Sequence, residues 1–306
     1  MSLLDLLETD KKCINISAPM VRYSKLAFRQ LVRKYNVDVA FTPVPPCTKS
    51  KNFTPRLVLI IGDLNQDDNP LVIQFAAKDP IDLLKASILV KDHVSAIDLN
   101  CGCPQKWAIQ EGIGSALLDM DLEKLKDLVG TTIRNVDIPV STKIRVHKDL
   151  RQTIDMVQGL EKIGVSWITV HGRTKNQRPS DPVDLDAIKL INESVSIPVF
   201  ANGDIFTLED VKQVQEYTKV RGVMAARGLL ENPALFAGHS KTPPGCISSY
   251  INLALACGTP SAIVQGHVSM MIEKSMSNAE RKMFNSLTSV HAILDYLEEH
   301  YPNIII

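Results

Sequence analysis

Short runs of valine, isoleucine and other apolar residues alternate along the chain with longer stretches in which apolar residues recur every three or four positions. The runs at residues 14–19, 37–43, 71–77, 96–100, 140–146, 167–171, 199–202 and 223–226 predict eight strands. Amphipathic stretches at 25–35, 80–91, 121–134, 150–163, 183–194 and 207–217 predict helices between most of them. Apolar strands linked by helical crossovers build a parallel sheet that is buried on both faces. Eight such units close naturally into a (β/α)8 TIM barrel of the α/β class. A doubly wound open sheet is the alternative. No Gly-x-Gly-x-x-Gly follows the first strand, which counts against a dinucleotide-binding fold.

Two regions break the rhythm. Residues 44–69 lack a clear helix where the second crossover belongs; they hold Pro45-Pro46, the apolar run 57–61 and the acidic run 63–68. From about Gly238 the strand signal ends and three helices are expected, at 247–255, 261–274 and 279–300. This divides the chain into a barrel, residues 1–238, and a small α-helical domain, residues 239–306. The 306 residues suit that division, one barrel of about 240 residues plus a smaller domain.

Composition changes little in this picture. The chain is 45% hydrophobic and 22% charged, an ordinary globular balance. Its net charge of zero lends no support to an RNA partner, so any RNA surface must be a local patch. The tail is not basic either: Lys241, Lys274, Arg281 and Lys282 face Glu273, Glu280, Asp295, Glu298 and Glu299. The N-terminus lacks a secretory pattern, so the six cysteines are expected to be reduced, in the cytosol or the nucleus. No apolar run approaches the ~18 residues of a membrane span, and no lipidation motif ends the chain.

Chemistry in such a barrel sits at the C-terminal ends of the strands. Those ends read Ala18-Pro19-Met20, Thr42-Pro43, Gln74, Asn100 to Gln105, Lys143-Ile144-Arg145, His171-Gly172-Arg173, Asn202-Gly203-Asp204 and Ala226-Arg227-Gly228. The last two follow strands seven and eight, where loops commonly bind phosphate, and Arg227 adds a charged donor. A phosphorylated cofactor is therefore expected, against the simpler reading of Asn-Gly-Asp as a turn. Lys143, inside a strand, is suited to pair with an anion, to form a Schiff base, or to bond a neighbouring carboxylate. Cys101 and Cys103 form Cys-x-Cys without further ligands at metal-binding spacing, so no metal is expected. A thiol on a loop at the barrel mouth can serve as a general acid, since its unperturbed pKa is about 8.5. A buried, inert cysteine is the competing reading. Gly112 and Gly114 are candidate hinges for that loop.

Taken together, Ala18-Pro19-Met20, Gln74, Asn100-Cys101-Gly102-Cys103-Pro104, Lys143, His171-Gly172-Arg173-Thr174, Asn202-Gly203-Asp204 and Ala226-Arg227-Gly228 resemble the tRNA-dihydrouridine synthases. The run 18–28 and the pattern Ala225 to Leu230 look like the eukaryotic subgroup acting on D-loop positions 20a and 20b. The resemblance implies a barrel carrying FMN, followed by a helical tRNA-binding domain, with NADPH or NADH as the transient reductant. It implies that Ala18, Pro19 and Met20 cover the flavin ring and that Gln74 bonds its edge. Lys143 stabilises the reduced anion and His171 lies at flavin and substrate. Asn202, Gly203, Asp204, Ala226 and Arg227 bind the phosphate. Asn100 holds the flipped uracil, with Arg145, Arg173 and Arg178 as further substrate contacts. Cys103 protonates C5 of the uracil as hydride reaches C6. The target base must leave its stack, which is cheapest in a single-stranded loop. Residues 44–69 depart from the family pattern. Three other readings stay open: a flavin barrel reducing a small pyrimidine-like molecule, a Schiff-base lyase using Lys143, and a catalytically impaired tRNA-binding protein. A monomer is the expected state.

Overall fold

The computed structural model describes residues 3–9, 12–44, 65 and 68–304. Eight parallel strands close into one barrel: β1 (Ile14–Ser17), β2 (Val39–Phe41), β3 (Leu71–Phe75), β4 (Ala96–Cys101), β5 (Val140–Arg145), β6 (Ile168–His171), β7 (Val199–Asn202) and β8 (Gly222–Ala225). Closure comes from β1 pairing with β8, Ile16 opposite Met224 and Ser17 opposite Ala225. That pairing removes both sheet edges and excludes the open sheet.

Side chains alternate between the two faces of each strand. On β4, Ile97, Leu99 and Cys101 join the layer between strands and helices, whereas Ala96 belongs to the cluster filling the barrel. Asp98 and Asn100 share the inward face. The interior is sealed below by Trp167, Phe200 and Met224, with Leu3 and Leu6 of a short helix, α1 (Leu3–Glu8), that the sequence pattern did not announce. The Arg221 guanidinium holds this plug by donating to the carbonyls of Leu6, Leu7, Thr9 and Lys12.

Outside lie α2 (Leu26–Arg33), α3 (Pro80–Val90), α4 (Lys106–Gln110), α5 (Leu122–Ile133), α6 (Leu150–Lys162), α7 (Leu185–Ser194) and α8 (Leu208–Thr218). Four start at an aspartate whose carboxylate accepts first-turn N–H groups: Asp79, Asp121, Asp149 and Asp184. Thr207 and Asp210 form a capping box on α8. A short α9 (Arg227–Glu231) follows β8 directly.

The tail forms α10 (Pro244–Ala256), α11 (Ser261–Ile272), α12 (Asn278–Asn285) and α13 (Val290–His300). The single helix expected over 279–300 is thus two. Ser289 ends the continuity because its side chain accepts from Ala292 N and starts a new helix, as serine does at an N-cap. The tail packs on α2 through His267, which stacks on Phe28 at 4.6 Å, tilts against Tyr250 and meets the Tyr23 carbonyl through Nε2 at 3.1 Å.

Much of the atypical second connection, including Pro45-Pro46, Cys47 and the apolar run 57–61, lies outside the described residues. Asp68, close to its end, is fully buried between two arginines. Arg29 Nε donates to one carboxylate oxygen at 2.5 Å and Arg33 Nε to the other at 2.6 Å. Arg29 also donates to the Ser24 carbonyl at 2.7 Å. Ser24 Oγ in turn donates to Ala18 O and accepts from Met20 N, at 2.9 and 2.8 Å. The turn Ala18-Pro19-Met20 is therefore fastened from below by a buried ion pair.

Candidate active site

Strand register assembles the mouth. Gln74 lies opposite Asp98, Asn100 opposite Lys143, Arg145 opposite His171, and His171 opposite Asn202. One continuous arc of polar side chains results, on strands that are otherwise apolar.

The cysteine loop is held at several points. Asn100 Oδ1 accepts from the backbone N–H groups of Gly102 and Cys103 at 3.0 and 2.9 Å. Arg145 Nε donates to Gly102 O at 2.9 Å and Ser115 N to Cys103 O at 2.9 Å. Cys103 is half-buried against Ala76, Ala108 and Ile113. Cys101 points the other way, into the layer beneath the helices, where burial pushes its thiol far above the usual range. The two cysteines, indistinguishable by spacing, thus have different fates: Cys101 is packing and Cys103 is the thiol at the mouth.

Gly114 holds this loop rather than loosening it. Its φ is +64°, and a Cβ there would lie 2.8 Å from Cys103 O and 2.9 Å from Cys103 Cβ. Gly114→Ala is expected to cost about 1–2 kcal/mol for the left-handed backbone alone. It should also push Cys103 from its place, so a melting curve and a turnover assay should both fall. A melting point at the parent value would show that the loop accommodates the methyl group.

Beneath the loop, the Asp98 carboxylate accepts from Gln74 Nε2 and Ser141 Oγ, each at 2.6 Å. Burial raises it to about 6, against the opposing pull of those two bonds and of Lys143. Gln74 Oε1 accepts from Asn100 Nδ2 at 2.7 Å. Burial lowers Lys143 to about 8, assisted by the charge of Arg145 and opposed by Asp98. His171 is held neutral, pushed down to about 2 first by burial and then by Lys143, Arg145, Arg173 and Arg227. Arg173 Nη1 lies 3.3 Å from His171 Nε2. A guanidinium can only donate, so Nε2 is the acceptor and the ring proton sits on Nδ1.

A cavity of about 200 Å3 opens beside this arc. Its wall includes Arg145, His171, Arg173, Asn202, Gly203, Asp204, Ala226 and Arg227, all eight singled out from the sequence. Asp204 bridges Arg173 and Arg227, the latter at 2.8 Å. Asn202 Nδ2 donates to Met224 O at 2.9 Å, tying strand seven to strand eight. Gly228 lies so close to Ile205 that a Cβ would fall 2.0 Å from its carbonyl oxygen. Three guanidiniums against one carboxylate leave this wall with surplus positive charge, which suits an anion.

Of the residues expected to meet substrate, Arg173 is nearly fully buried in that wall, with Nε donating to Asp181 O at 2.6 Å. Arg178 is exposed on the same loop. Arg145 bonds Gly102 O and Thr174 O, so it braces the loops after β4 and β6. Ala18-Pro19-Met20 form the turn after β1, with Ala18 N donating to Ala225 O at 2.9 Å. Sequence reasoning missed Ser24, Asp98, Ser141 and Phe206, over whose ring Arg227 sits at 5.4 Å. Asp98 was within reach of a period-two reading, because it shares the inward face with Asn100 two positions on.

The sequence model described as dihydrouridine synthase (Dus) matches residues 16–299. The chain belongs to the dihydrouridine synthase family. Within this family, the human tRNA-dihydrouridine(20a/20b) synthase [NAD(P)+]-like protein is 46% identical over 293 residues, covering 94% of this chain and 91% of its own. The tRNA-dihydrouridine(20a/20b) synthase [NAD(P)+] of Schizosaccharomyces pombe is 44% identical over 294 residues, 95% and 89% of the two chains. Among solved structures, an old yellow enzyme homologue from Zymomonas mobilis superposes with a TM-score of 0.55 at 12% identity, covering 77% of this chain and 91% of its own. That last likeness speaks for the barrel fold alone. Family membership accounts for why the motif set converges on one mouth.

Proposed function

We propose that this chain reduces uridine to 5,6-dihydrouridine in the D-loop of tRNA, at positions 20a and 20b, with bound FMN and NADPH or NADH as reductant. The reading is carried by one observation: the Cys103 loop, Lys143, neutral His171 and the arginine-lined cavity meet at a single barrel mouth. Family membership and the activities named for its relatives support it.

The cavity wall suits the phosphate, with Arg227 and the backbone of Asn202, Gly203, Asp204 and Ala226 as its holders and Arg173 behind them. A flavin bound there would supply hydride for C6 of uracil. Cys103 gives the matching proton to C5, so one hydride and one proton saturate the C5–C6 double bond. Lys143 would set its ammonium beside a bound flavin and so favour the reduced, anionic form of the ring. His171, neutral, would offer its Nδ1 proton to flavin or substrate. Gln74 has one N–H and one lone pair left for the ring edge once its bonds to Asp98 and Asn100 are made. Asn100 has one N–H left for a uracil carbonyl. The turn Ala18-Pro19-Met20 would cover the ring, Arg145 and Arg178 would meet the RNA, and the tail, residues 239–306, would carry part of the tRNA. The protein acts as a monomer in the cytosol or the nucleus; among the described residues no helix is long and apolar enough to cross a membrane.

Mapping dihydrouridine in tRNA from cells lacking the protein tests the proposal directly. Loss at 20a and 20b alone is the expected result, and unchanged dihydrouridine at every position would overturn it. A second test uses Lys143. Its ammonium is present below pH about 8 and lost above it. Reduction of the bound flavin by NADPH should therefore slow as pH rises through about 8. Lys143→Met should be slow throughout and lack that inflection. An identical inflection in the variant would assign the titration to another group.

A further inference from the structure

Hydrogen bonds have direction, and at the floor of this mouth a single group sets the direction for the rest. Asp98 is fully buried and, as a carboxylate, can only accept. It takes one bond from Ser141 Oγ and one from Gln74 Nε2, both at 2.6 Å. The Gln74 amide is thereby turned so that Oε1 faces Asn100, where it accepts from Nδ2 at 2.7 Å. With its Nδ2 drawn to Gln74 Oε1, Asn100 is left with Oδ1 facing the chain beyond, where it accepts the N–H groups of Gly102 and Cys103. Reverse the Gln74 amide and its Oε1 would face the Asp98 carboxylate while its Nε2 faced Asn100 Nδ2, donor against donor; Asn100 could recover that bond only by reversing too, which would turn its Nδ2 onto the N–H groups of Gly102 and Cys103. Buried groups left unpaired cost enough to make such a chain cooperative.

We propose that Asp98 is a positioning residue: acting through Gln74 and Asn100, it fixes the backbone of the cysteine loop and so the place of the Cys103 thiol. This rests on the reading of Cys103 as the acid, but its geometric part can be measured without turnover. Alkylation of Cys103 by iodoacetamide, followed by mass spectrometry of the peptide that contains it, reports where the thiol sits.

The flavin-loaded enzyme and its Asp98→Ala and Asp98→Asn variants are compared for that alkylation rate, for kcat and KM on tRNA, and for flavin content. Asp98→Ala removes the acceptor and releases the loop. Alkylation should quicken and kcat fall, each by about tenfold, equivalent to about 1.4 kcal/mol. KM for tRNA and flavin content should change by less than alkylation and kcat, because the wall of the phosphate cavity does not include Asp98, Gln74 or Asn100. Asp98→Asn removes the charge but can still accept from Gln74 while donating to Ser141 Oγ, so it should restore both quantities to within about twofold, a few tenths of a kcal/mol. Should the alanine variant fail to fold, Asp98→Leu keeps the volume and removes the acceptor, with the same expectation. Asp98→Ala or Asp98→Leu should add nothing further when Asn100→Ala is already present, because both act through one path. Unchanged alkylation in the acceptor-less variants would overturn the proposal. So would an Asn variant as impaired as the Ala variant, since charge and not direction would then be what matters. Faster alkylation with unchanged kcat would support the positioning role and remove Cys103 as the acid.

Discussion

Cys103→Ala should lower dihydrouridine formation by about 10²–10⁴-fold, the usual cost of removing a general acid, while leaving flavin and tRNA bound. The structure explains why so large a loss can come without collapse. The loop is held by the backbone of Cys103, through Cys103 N to Asn100 and Cys103 O to Ser115 N, and alanine keeps both bonds. Its Cβ also keeps its packing over Gly114. Cys103 does not line the arginine cavity, so the thiol is not needed for the phosphate wall. Cys101→Ala is the natural control. It touches a buried thiol on the opposite face of the strand and should cost stability but little turnover. The decisive measurement is single-turnover oxidation of pre-reduced enzyme by tRNA. A Cys103→Ala rate near the parent value would mean that another group delivers the proton.

The second large effect concerns folding. Asp68→Ala is expected to cost about 3–5 kcal/mol, because it removes a fully buried carboxylate that accepts from both Arg29 and Arg33. On a chain of this size, the melting point should fall by on the order of 10 °C. The damage should also reach the mouth, since Arg29 holds Ser24 and Ser24 holds Ala18 and Met20. Weaker flavin retention is therefore expected in the variant even at temperatures where it stays folded. Denaturant unfolding, with flavin fluorescence followed in parallel, reads both. A loss below about 1 kcal/mol would indicate that the arginine finds compensation elsewhere, as exposed ion pairs do.

Not every element was equally legible in the sequence. The strands were, because they are short apolar runs set apart by amphipathic helices. Asp79, Asp121, Asp149 and Asp184 mark helix starts with a local chemistry that needs no partner from afar. The break between α12 and α13 was missed because the apolar pattern runs through it, and the competing cap of Ser289 is a weak signal inside a helical period. The plug helix α1 was missed for a different reason: its value lies in Leu3 and Leu6 filling the barrel bottom, a contact with no local trace. Arg173 shows the limit at the site itself. Read from the motif, it was a substrate contact; in three dimensions it is buried behind Asp204 and beside His171.

The sequence by itself determined the barrel, the strand ends at which chemistry collects, and the set of residue types gathered there. Those follow from local periodicity and from the order of elements along the chain, both of which a single sequence carries. Only the tertiary structure decided which cysteine faces the mouth, which way the amides of Gln74 and Asn100 point, and that Asp68, from an acidic run, lies in a buried ion pair. Each of these depends on strand register or on partners tens of residues away. Burial then sets their energies, by removing the water that would otherwise pair with any orientation.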